Sequence, residues 1–202
     1  MVNKKLKITL TGGIGTGKSE ATKIISGSGY DVIIADDLAK EFLRNDLQIR
    51  KRIIKEFGEE AYKDGILNTK FLAEKVFIDP GKVRLINSIV HPPTIDKMIE
   101  MMESSLQKNN LVFVESALVY EAELENLFDY VILIVSDEAH QIERVMKRDN
   151  VSEDEVKKRI ENQIPQEEKK KAADFVIENN SGLPELKNKI RFIVNLLSQM
   201  VA

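Results

Sequence analysis

The chain contains no cysteine and no tryptophan, and only two of its 202 residues are histidines. The missing cysteines exclude disulfide bonds, thiolate catalysis and cysteine-based zinc sites. Two histidines are too few for a multi-histidine metal centre. The chain also has little net charge, because 30 Lys and Arg residues are balanced by 33 Asp and Glu residues. This balance argues against a generally basic nucleic-acid-binding surface, so no nucleic-acid partner is expected.

Long apolar runs are also missing. The longest, Val131–Val135, is far shorter than the stretch of about 20 residues that spans a bilayer. The N-terminal segment lacks the apolar core and the cleavage site of a signal peptide. We therefore expect a cytoplasmic protein with no membrane partner. A hydrophobic content of 43% with 31% charged residues is typical of a globular chain, and the length suits one domain with modest insertions.

Short apolar runs are present, and they have the character of buried strands. Most are continuous rather than alternating, as expected when helices cover both faces of a parallel sheet. Helical patterns separate them, which predicts an α/β fold with a doubly wound, five-stranded parallel sheet. The predicted strands are Leu6–Leu10, Asp31–Ala35, Leu111–Glu115, Tyr130–Val135 and Phe175–Ile177. The predicted helices are Gly17 to about Ser28, Asp36 to about Phe57 in two pieces, Pro92 or Pro93 to about Lys108, 137–149, 152–172 and 184–201.

The ten glycines of the chain are unevenly placed, because four of them fall within six residues. They belong to the pattern G-x-x-x-x-G-K-[ST], which lies between a predicted strand and a predicted helix. Such a loop turns its backbone N–H groups around phosphate oxygens, its lysine contacts the β- and γ-phosphates, and its serine can ligate Mg²⁺. We predict an ATP site at this loop, called the P-loop below. Its residues are Gly12, Gly13, Ile14, Gly15, Thr16, Gly17, Lys18 and Ser19.

A P-loop alone does not separate the classes of nucleotide-binding protein. Regulatory GTPases need D-x-x-G and N-K-x-D segments, and neither occurs here. ATP-driven motors place an acid after a long apolar strand; Glu115 fits that pattern, but 202 residues leave little room for a motor. A small phosphotransferase with an acceptor site and a closing lid fits better. Another nucleoside monophosphate or small-molecule kinase and a non-catalytic ATP-binding regulatory module remain alternatives.

Two groups of charged residues are candidates for the chemistry. Asp36 and Asp37 follow the second predicted strand, which we expect beside the P-loop strand. A carboxylate there can take a proton from an attacking alcohol, but capping of a helix that begins at Leu38 explains both residues equally well. Arg144 and Arg148 share one helical face and can stabilise a transferring phosphoryl group. Surface pairing of these arginines with Glu143 or Asp149 is the favoured alternative.

His91 precedes two prolines, so we expect extended backbone there, just before a helix. A lone histidine at such a point is more often a structural hydrogen-bonding group than a catalyst.

A series of short motifs runs along nearly the whole chain: LTGGIGTGKS at 10–19, G-x-x-V-I-x-A-D at Gly29–Asp36, DGILN at Asp64–Asn68, LAEKVF at Leu72–Phe77, VHP at Val90–Pro92, ALVYE at Ala117–Glu121, Gln141-x-x-Arg144-x-x-x-Arg148, Arg159-x-x-x-Gln163 and ADFVIENN at Ala173–Asn180. In their order and spacing, these motifs resemble those of the dephospho-CoA kinase family.

The resemblance implies transfer of the ATP γ-phosphate to the 3′-hydroxyl of dephospho-CoA, the last step of CoA synthesis. It implies one P-loop kinase domain with a core at about 1–58, 109–136 and 166–202. A helical CoA-binding insertion at about 59–108 and a helical lid at about 137–165 complete that domain.

The resemblance also assigns roles to individual residues. Asp36 is the presumed general base, Arg148 is the lid arginine, and Asn179 with Asn180 lies on the adenine side. The motifs further place His91, Leu118 and Glu121 among the substrate-binding residues. Departures from the family pattern occur at Ile34, Lys40, Thr69 and Ala117, on the acceptor side rather than in the P-loop.

Overall fold

The computed structural model describes residues 4–201. Their strands, in chain order, are β1 (Leu6–Gly12), β2 (Val32–Ile34), β3 (Tyr62–Lys63), β4 (Ile66–Leu67), β5 (Leu111–Glu115), β6 (Tyr130–Val135) and β7 (Phe175–Glu178). Their α-helices are α1 (Lys18–Ser26), α2 (Ala35–Asn45), α3 (Leu47–Phe57), α4 (Thr69–Ile78), α5 (Pro80–Leu106), α6 (Glu138–Asp149), α7 (Glu153–Glu161), α8 (Gln166–Ala172) and α9 (Leu183–Gln199). Short 3₁₀ helices lie at Glu59–Ala61 and Glu125–Leu127.

The chain divides into two compact units. The first unit runs to Ile34 and resumes at Met102, and the second is Ala35–Met101. The second unit therefore contains α2 and α3, which the sequence assigned to the core, together with most of the predicted helical insertion.

The first unit is built on a five-stranded parallel sheet with the strand order β2-β5-β1-β6-β7. This confirms the predicted α/β fold with a five-stranded parallel sheet. The expectation that β2 lies beside β1 is wrong, because β5 lies between them. Every residue of β5 is buried, which suits an interior strand, whereas the three-residue β2 forms an edge. Asp36 and Asp37 thus follow an edge strand.

The central strand β1 is held by apolar packing on the sheet face that α1 and α9 cover. Leu6, Ile8 and Leu10 are each fully buried. They belong to one cluster with Ile25 of α1 and Ile190 of α9. Burial of side chains of this size contributes roughly 1.5–3 kcal/mol each. The packing fixes the carboxyl end of β1, which leads directly into the P-loop.

The second unit has its own apolar core. Residues of α3, α4 and α5 share that core with Ala61 of the first 3₁₀ helix and with Tyr62 of the β3–β4 hairpin: Ile49, Ile53, Phe57, Leu72, Ile89 and Val90. The Tyr62 hydroxyl donates to the Leu43 carbonyl at 2.5 Å, and the Arg50 guanidinium lies 5.0 Å from the centre of the Tyr62 ring. The sequence predicted no strand in this region, so the two-residue strands of the hairpin were missed.

Helix α5 begins at Pro80, so the prediction that a helix opens at Pro92 or Pro93 is wrong. Both prolines lie inside it, and His91 is helical rather than extended. Each internal proline removes one backbone hydrogen bond. Burial of Ile89 and Val90 before the prolines and of Met98 after them offsets this loss. Within residues 4–201, no helix is both long and apolar enough to cross a membrane.

The predicted helix at 152–172 is two helices, α7 and α8, joined by residues 162–165. A capping box between Ser152 and Glu155 opens α7. Pro165 is the N-cap residue of α8, and its extended backbone keeps α7 and α8 from forming one continuous helix. The short connection between α7 and α8 leads back to the P-loop, as described below.

Candidate active site

The P-loop has the backbone that a phosphate cradle requires. Gly15 and Gly17 adopt φ angles of 76° and 105°, which L-residues with side chains rarely take. A Cβ atom at Gly17 would lie 2.3 Å from Nδ2 of Asn179, so no side chain fits there. The loop is closed internally by Thr16, whose buried hydroxyl donates to the Gly13 carbonyl at 2.9 Å. Helix α1 starts at Lys18 and directs its N-terminus towards the loop.

The side chain of Lys18 lies against the P-loop, where it is predicted to contact the β- and γ-phosphates. Its Nζ donates to the Gly12 carbonyl at 2.8 Å and to the Gly13 carbonyl at 3.1 Å. An ammonium group at this position can exchange carbonyl oxygens for phosphate oxygens with little movement of the chain. The geometry therefore places a cation at the phosphate cradle.

Asn179 and Arg144 fasten the P-loop from outside. Asn179, only 6% exposed, follows β7 and donates from Nδ2 to the Thr16 carbonyl at 2.8 Å. Arg144 of α6 donates to the Gly15 carbonyl at 3.3 Å and to the Asn179 carbonyl at 2.9 Å. It also donates to the Ser136 hydroxyl at 3.2 Å. The structure thus brings both predicted residues to the P-loop, where they bind its backbone.

Gln163 also reaches the P-loop, although the residue types alone suggested no role for it. Its Oε1 accepts a hydrogen bond from the Ile14 N–H at 2.9 Å. Gln163 and Ile14 are 149 positions apart, so no local pattern could reveal the contact. The available signal was the place of Gln163 in the Arg159-x-x-x-Gln163 motif.

Arg148 does not point to the P-loop in this structure. It makes two hydrogen bonds to Asp149, at 2.7 and 3.0 Å, and Arg159 binds the same carboxylate at 2.8 Å. Hydrogen bonds from Arg148 and then Arg159 hold the pKa of Asp149 below its usual value. In this structure Arg148 is thus paired with Asp149, as the alternative interpretation of the sequence expected.

Asp36 and Asp37 lie in the first turn of α2, so neither caps a helix that begins at Leu38. Asp37 forms an ion pair with Lys40 at 2.9 Å. The exposed carboxylate of Asp36 makes no hydrogen bond or ion pair with the residues that the structure describes. Of the two, Asp36 is therefore the group that is open to another partner.

Glu115 ends β5 beside the P-loop strand and is 8% exposed. Its Oε2 accepts a hydrogen bond from the Thr22 hydroxyl at 2.8 Å, and Thr22 lies on α1, one turn after Lys18. Ser19, also in the first turn of α1, has an exposed side chain whose hydroxyl has no partner among residues 4–201. The Ser19 hydroxyl thus lies in the N-terminal half of α1, and the Glu115 carboxylate contacts that half through Thr22. Both are oxygen donors of the kind that Mg²⁺ prefers.

The predicted substrate-binding residues belong to both units, with His91 in the second and Leu118 and Glu121 in the first. Glu121 forms an ion pair with Lys169 at 2.6 Å, and the Lys169 side chain is fully buried. Leu118 lies in the turn after β5. His91 is half-buried in α5, and burial lowers its pKa, which favours the neutral imidazole. Glu121 is thus engaged in a structural contact within the first unit.

A cavity of about 710 Å³ opens in the second unit, beside the β3–β4 hairpin. Its charged lining residues are Glu59, Glu60, Lys63, Asp64, Lys70 and Glu74. Four acids against two bases do not suit an anionic ligand. The predicted substrate-binding residues His91, Leu118 and Glu121 do not line it, and neither does Asp36.

Comparison with known proteins agrees with these observations. The family model described as dephospho-CoA kinase matches residues 6–185. The dephospho-CoA kinase of Listeria monocytogenes is 34% identical over 195 residues, which cover 93% of this chain and 98% of the relative. That of Salinibacter ruber is 36% identical over 182 residues, which cover 89% and 92% of the two chains.

A solved structure extends the agreement to the fold. The dephospho-CoA kinase of Campylobacter jejuni superposes with a TM-score of 0.71 at 30% identity. The superposition covers 96% of this chain and 97% of that one. The P-loop geometry, the sheet order and these sequence matches lead to one conclusion. The chain belongs to the dephospho-CoA kinase family.

Proposed function

We propose that this protein transfers the γ-phosphoryl group of ATP to the ribose 3′-hydroxyl of dephospho-CoA. The observation that carries the proposal is the family match across 6–185, on a chain whose P-loop has the backbone of a phosphate cradle. In this reaction the loop N–H groups and Lys18 neutralise charge on the triphosphate. The fold supplies a rigid strand and helix on either side of the loop.

Mg²⁺ is the metal that kinases of this kind use with ATP, and the oxygen donors present fit it. The described residues include no cluster of three or more His, Asp or Glu side chains that could hold a metal. In the proposal, the Ser19 hydroxyl ligates the ion and Glu115 supplies a nearby carboxylate. The remaining ligands are phosphate oxygens and water, as is usual for Mg²⁺. The ion, when bound, neutralises phosphate charge.

Asp36 is proposed as the general base that accepts the proton of the attacking hydroxyl. Support comes from the contrast with Asp37, whose carboxylate is already paired with Lys40. A carboxylate that is open to another partner can accept that proton.

The remaining predicted residues keep separate proposed roles. Arg148 is proposed to exchange Asp149 for the transferring phosphoryl group, because guanidinium groups bind both kinds of oxyanion. Arg144 and Asn179 are proposed to hold the P-loop in its binding shape. His91 and Leu118 are proposed to contact dephospho-CoA, whereas the ion pair with Lys169 supports a positioning role for Glu121.

The test is an acceptor panel. The purified protein is incubated with ATP and Mg²⁺ and with dephospho-CoA, nucleoside monophosphates or no acceptor, and ADP and phosphorylated product are both measured. We expect stoichiometric CoA and ADP with dephospho-CoA alone. Turnover only with another acceptor would identify a different small-molecule kinase. ATP binding without turnover of any acceptor would identify a regulatory module.

A further inference from the structure

We propose that Gln163 is a catalytic residue whose side-chain N–H group donates to the transferring γ-phosphoryl group of ATP. The inference rests on the proposed function and extends it to a residue in the connection between α7 and α8. Its starting point is the contact between Gln163 Oε1 and the Ile14 N–H at 2.9 Å.

That contact determines which way the side-chain amide points. A backbone N–H can only donate a hydrogen bond, so the carbonyl oxygen of the amide must face Ile14. The NH₂ group therefore lies on the other side of the amide carbon from that oxygen. Among residues 4–201, none accepts a hydrogen bond from Nε2 of Gln163. The two donors are therefore available to solvent or to a ligand.

The neighbours of Gln163 are parts of the phosphate site. A Cβ atom at Gly13 would lie 3.3 Å from the Gln163 Oε1 atom, so the amide packs against the bare α-carbon of that glycine. The Gly13 carbonyl accepts a hydrogen bond from Lys18 Nζ at 3.1 Å. Gly13 is thus contacted by the amide of Gln163 and by the ammonium group predicted to bind the β- and γ-phosphates. The amide of Gln163 therefore lies beside the glycine whose carbonyl Lys18 also contacts.

The backbone next to Gln163 is anchored to the core. The N–H of Ile164 donates to Glu121 Oε1 at 3.3 Å, and the same oxygen pairs with the buried Lys169 at 2.6 Å. Gln163 is therefore held at its side chain by the P-loop and, one residue later, at its backbone by a buried ion pair. A donor held in this way needs little rearrangement when a phosphoryl group arrives, which is the condition for electrostatic stabilisation of a transition state.

In the proposal Gln163 only donates a hydrogen bond, and none of its own covalent bonds changes. In phosphoryl transfer the bond between the γ-phosphorus and the β,γ-bridging oxygen breaks, and the acceptor oxygen forms a new bond to phosphorus. Negative charge spreads over the three equatorial oxygens during this step. A neutral N–H donor stabilises one of them without giving up its proton. Loss of one such donor lowers kcat by about 10²–10³-fold in comparable sites.

Two substitutions separate this role from simple support of the loop. Gln163→Glu keeps an acceptor for the Ile14 N–H but replaces the donor by a carboxylate oxygen. Gln163→Met removes both the donor and the acceptor for the Ile14 N–H without adding charge. Gln166→Glu is the matched control, because both ends of the Gln166 amide already bind the Ser136 backbone, at 3.2 and 3.1 Å.

The readouts are kcat with dephospho-CoA, and the Kd values for ADP and for a non-hydrolysable ATP analogue by calorimetry. For both Gln163 variants we expect kcat to fall by about 10²–10³-fold. Affinity for the analogue should fall while affinity for ADP is kept. Gln166→Glu should leave the analogue-to-ADP affinity ratio at its wild-type value.

Wild-type kcat in Gln163→Met, or equal losses of ADP and analogue affinity in both variants, would overturn the proposal. The binding comparison uses no acceptor. If the wild-type protein fails to phosphorylate dephospho-CoA, the proposed function fails, while the ratio of analogue to ADP affinity still decides the role of Gln163.

Discussion

The side-chain amide of Asn179 donates to the Thr16 carbonyl at 2.8 Å, so the end of β7 is fastened directly to the P-loop. The same asparagine accepts a hydrogen bond at its own carbonyl from Arg144. The loop is therefore held by a strand and a helix that lie more than 100 residues later in the chain. Its binding shape depends on these long-range contacts as well as on its glycines.

Asn179→Ala should weaken both the fold and ATP binding. The substitution leaves the Thr16 carbonyl without its side-chain donor in a buried setting. An unsatisfied buried group of this kind costs about 1–3 kcal/mol in the free energy of unfolding, measured in urea. Asn188→Ala, on the exposed face of α9, serves as the control and should change stability by less than about 0.5 kcal/mol. Equal stability of the two variants would contradict the fastening role.

Asp36→Asn should reduce turnover by about 10²–10⁴-fold, the usual contribution of a general base. The amide cannot accept the hydroxyl proton, but it has the same shape, so the Kd for ATP should stay near the wild-type value. Steady-state kinetics and nucleotide titration measure the two quantities. Asp37→Asn, which removes only the exposed pair with Lys40, is the control and should be nearly as active as wild type. A fully active Asp36→Asn enzyme would exclude Asp36 as the base.

Lys169→Met should destabilise the first unit by about 3–5 kcal/mol, because it leaves the Glu121 carboxylate without its partner beside a buried site. Lys169→Met combined with Glu121→Met should recover part of this loss, since the double variant buries no unpaired charge. Lys170→Met is the matched control. Lys170 pairs with Glu167, which is 77% exposed, so removal should cost less than about 1 kcal/mol. Chemical denaturation of all three variants tests the difference.

His91 should make the stability of the protein depend on pH. Burial lowers its pKa below the ordinary value of 6.5, so the unfolded chain binds a proton more readily than the folded one. The stability that the buried, neutral imidazole contributes is therefore fully present above about pH 6.5. It is lost as the pH falls from there to the lower pKa that His91 has in the folded state. His91→Asn should show a smaller loss of Tm between pH 7.5 and 5.5 than wild type. His140→Asn, on α6, controls for the second histidine; an unchanged pH dependence in His91→Asn would contradict the prediction.

The strands were the easiest elements to predict. The runs Leu111–Glu115 and Tyr130–Val135 are continuous and apolar, and their observed bounds are the predicted ones. An interior parallel strand is buried on both faces, so its sequence is a continuous apolar run rather than an alternating one. The P-loop was equally readable, because three of its four glycines, Gly12, Gly15 and Gly17, adopt positive φ angles that favour glycine.

The start of α5 was misplaced for a physical reason. Pro92 and Pro93 have no N–H group and favour the first turn of a helix, so local rules place a helix start there. In the fold, the buried contacts of Ile89 and Val90 outweigh the two missing hydrogen bonds. The Thr94 hydroxyl also donates to the Val90 carbonyl at 2.8 Å, in the same stretch of α5. Tertiary packing of this kind cannot be read from neighbouring residues.

The contacts around the P-loop were the least predictable. Gln163 and Asn179 reach it from 149 and 163 positions away, and neither belongs to a periodic pattern. Only the family motifs pointed to these residues. Arg144 and Arg148 share a helix face, yet one binds the loop and the other binds Asp149. Helical spacing alone could not separate their roles.

The central position of β1 has a consequence for protein synthesis. Its two neighbours, β5 and β6, are made about 100 residues later, and Asn179 is 163 positions after Thr16. At roughly 5–20 residues per second, the ribosome needs about 8–30 s to add those residues. Until β5 has been made, the nascent chain carries the phosphate-binding loop but β1 has no neighbouring strand. The nucleotide site is begun early in translation and is completed only when nearly all of its supporting strands have left the ribosome.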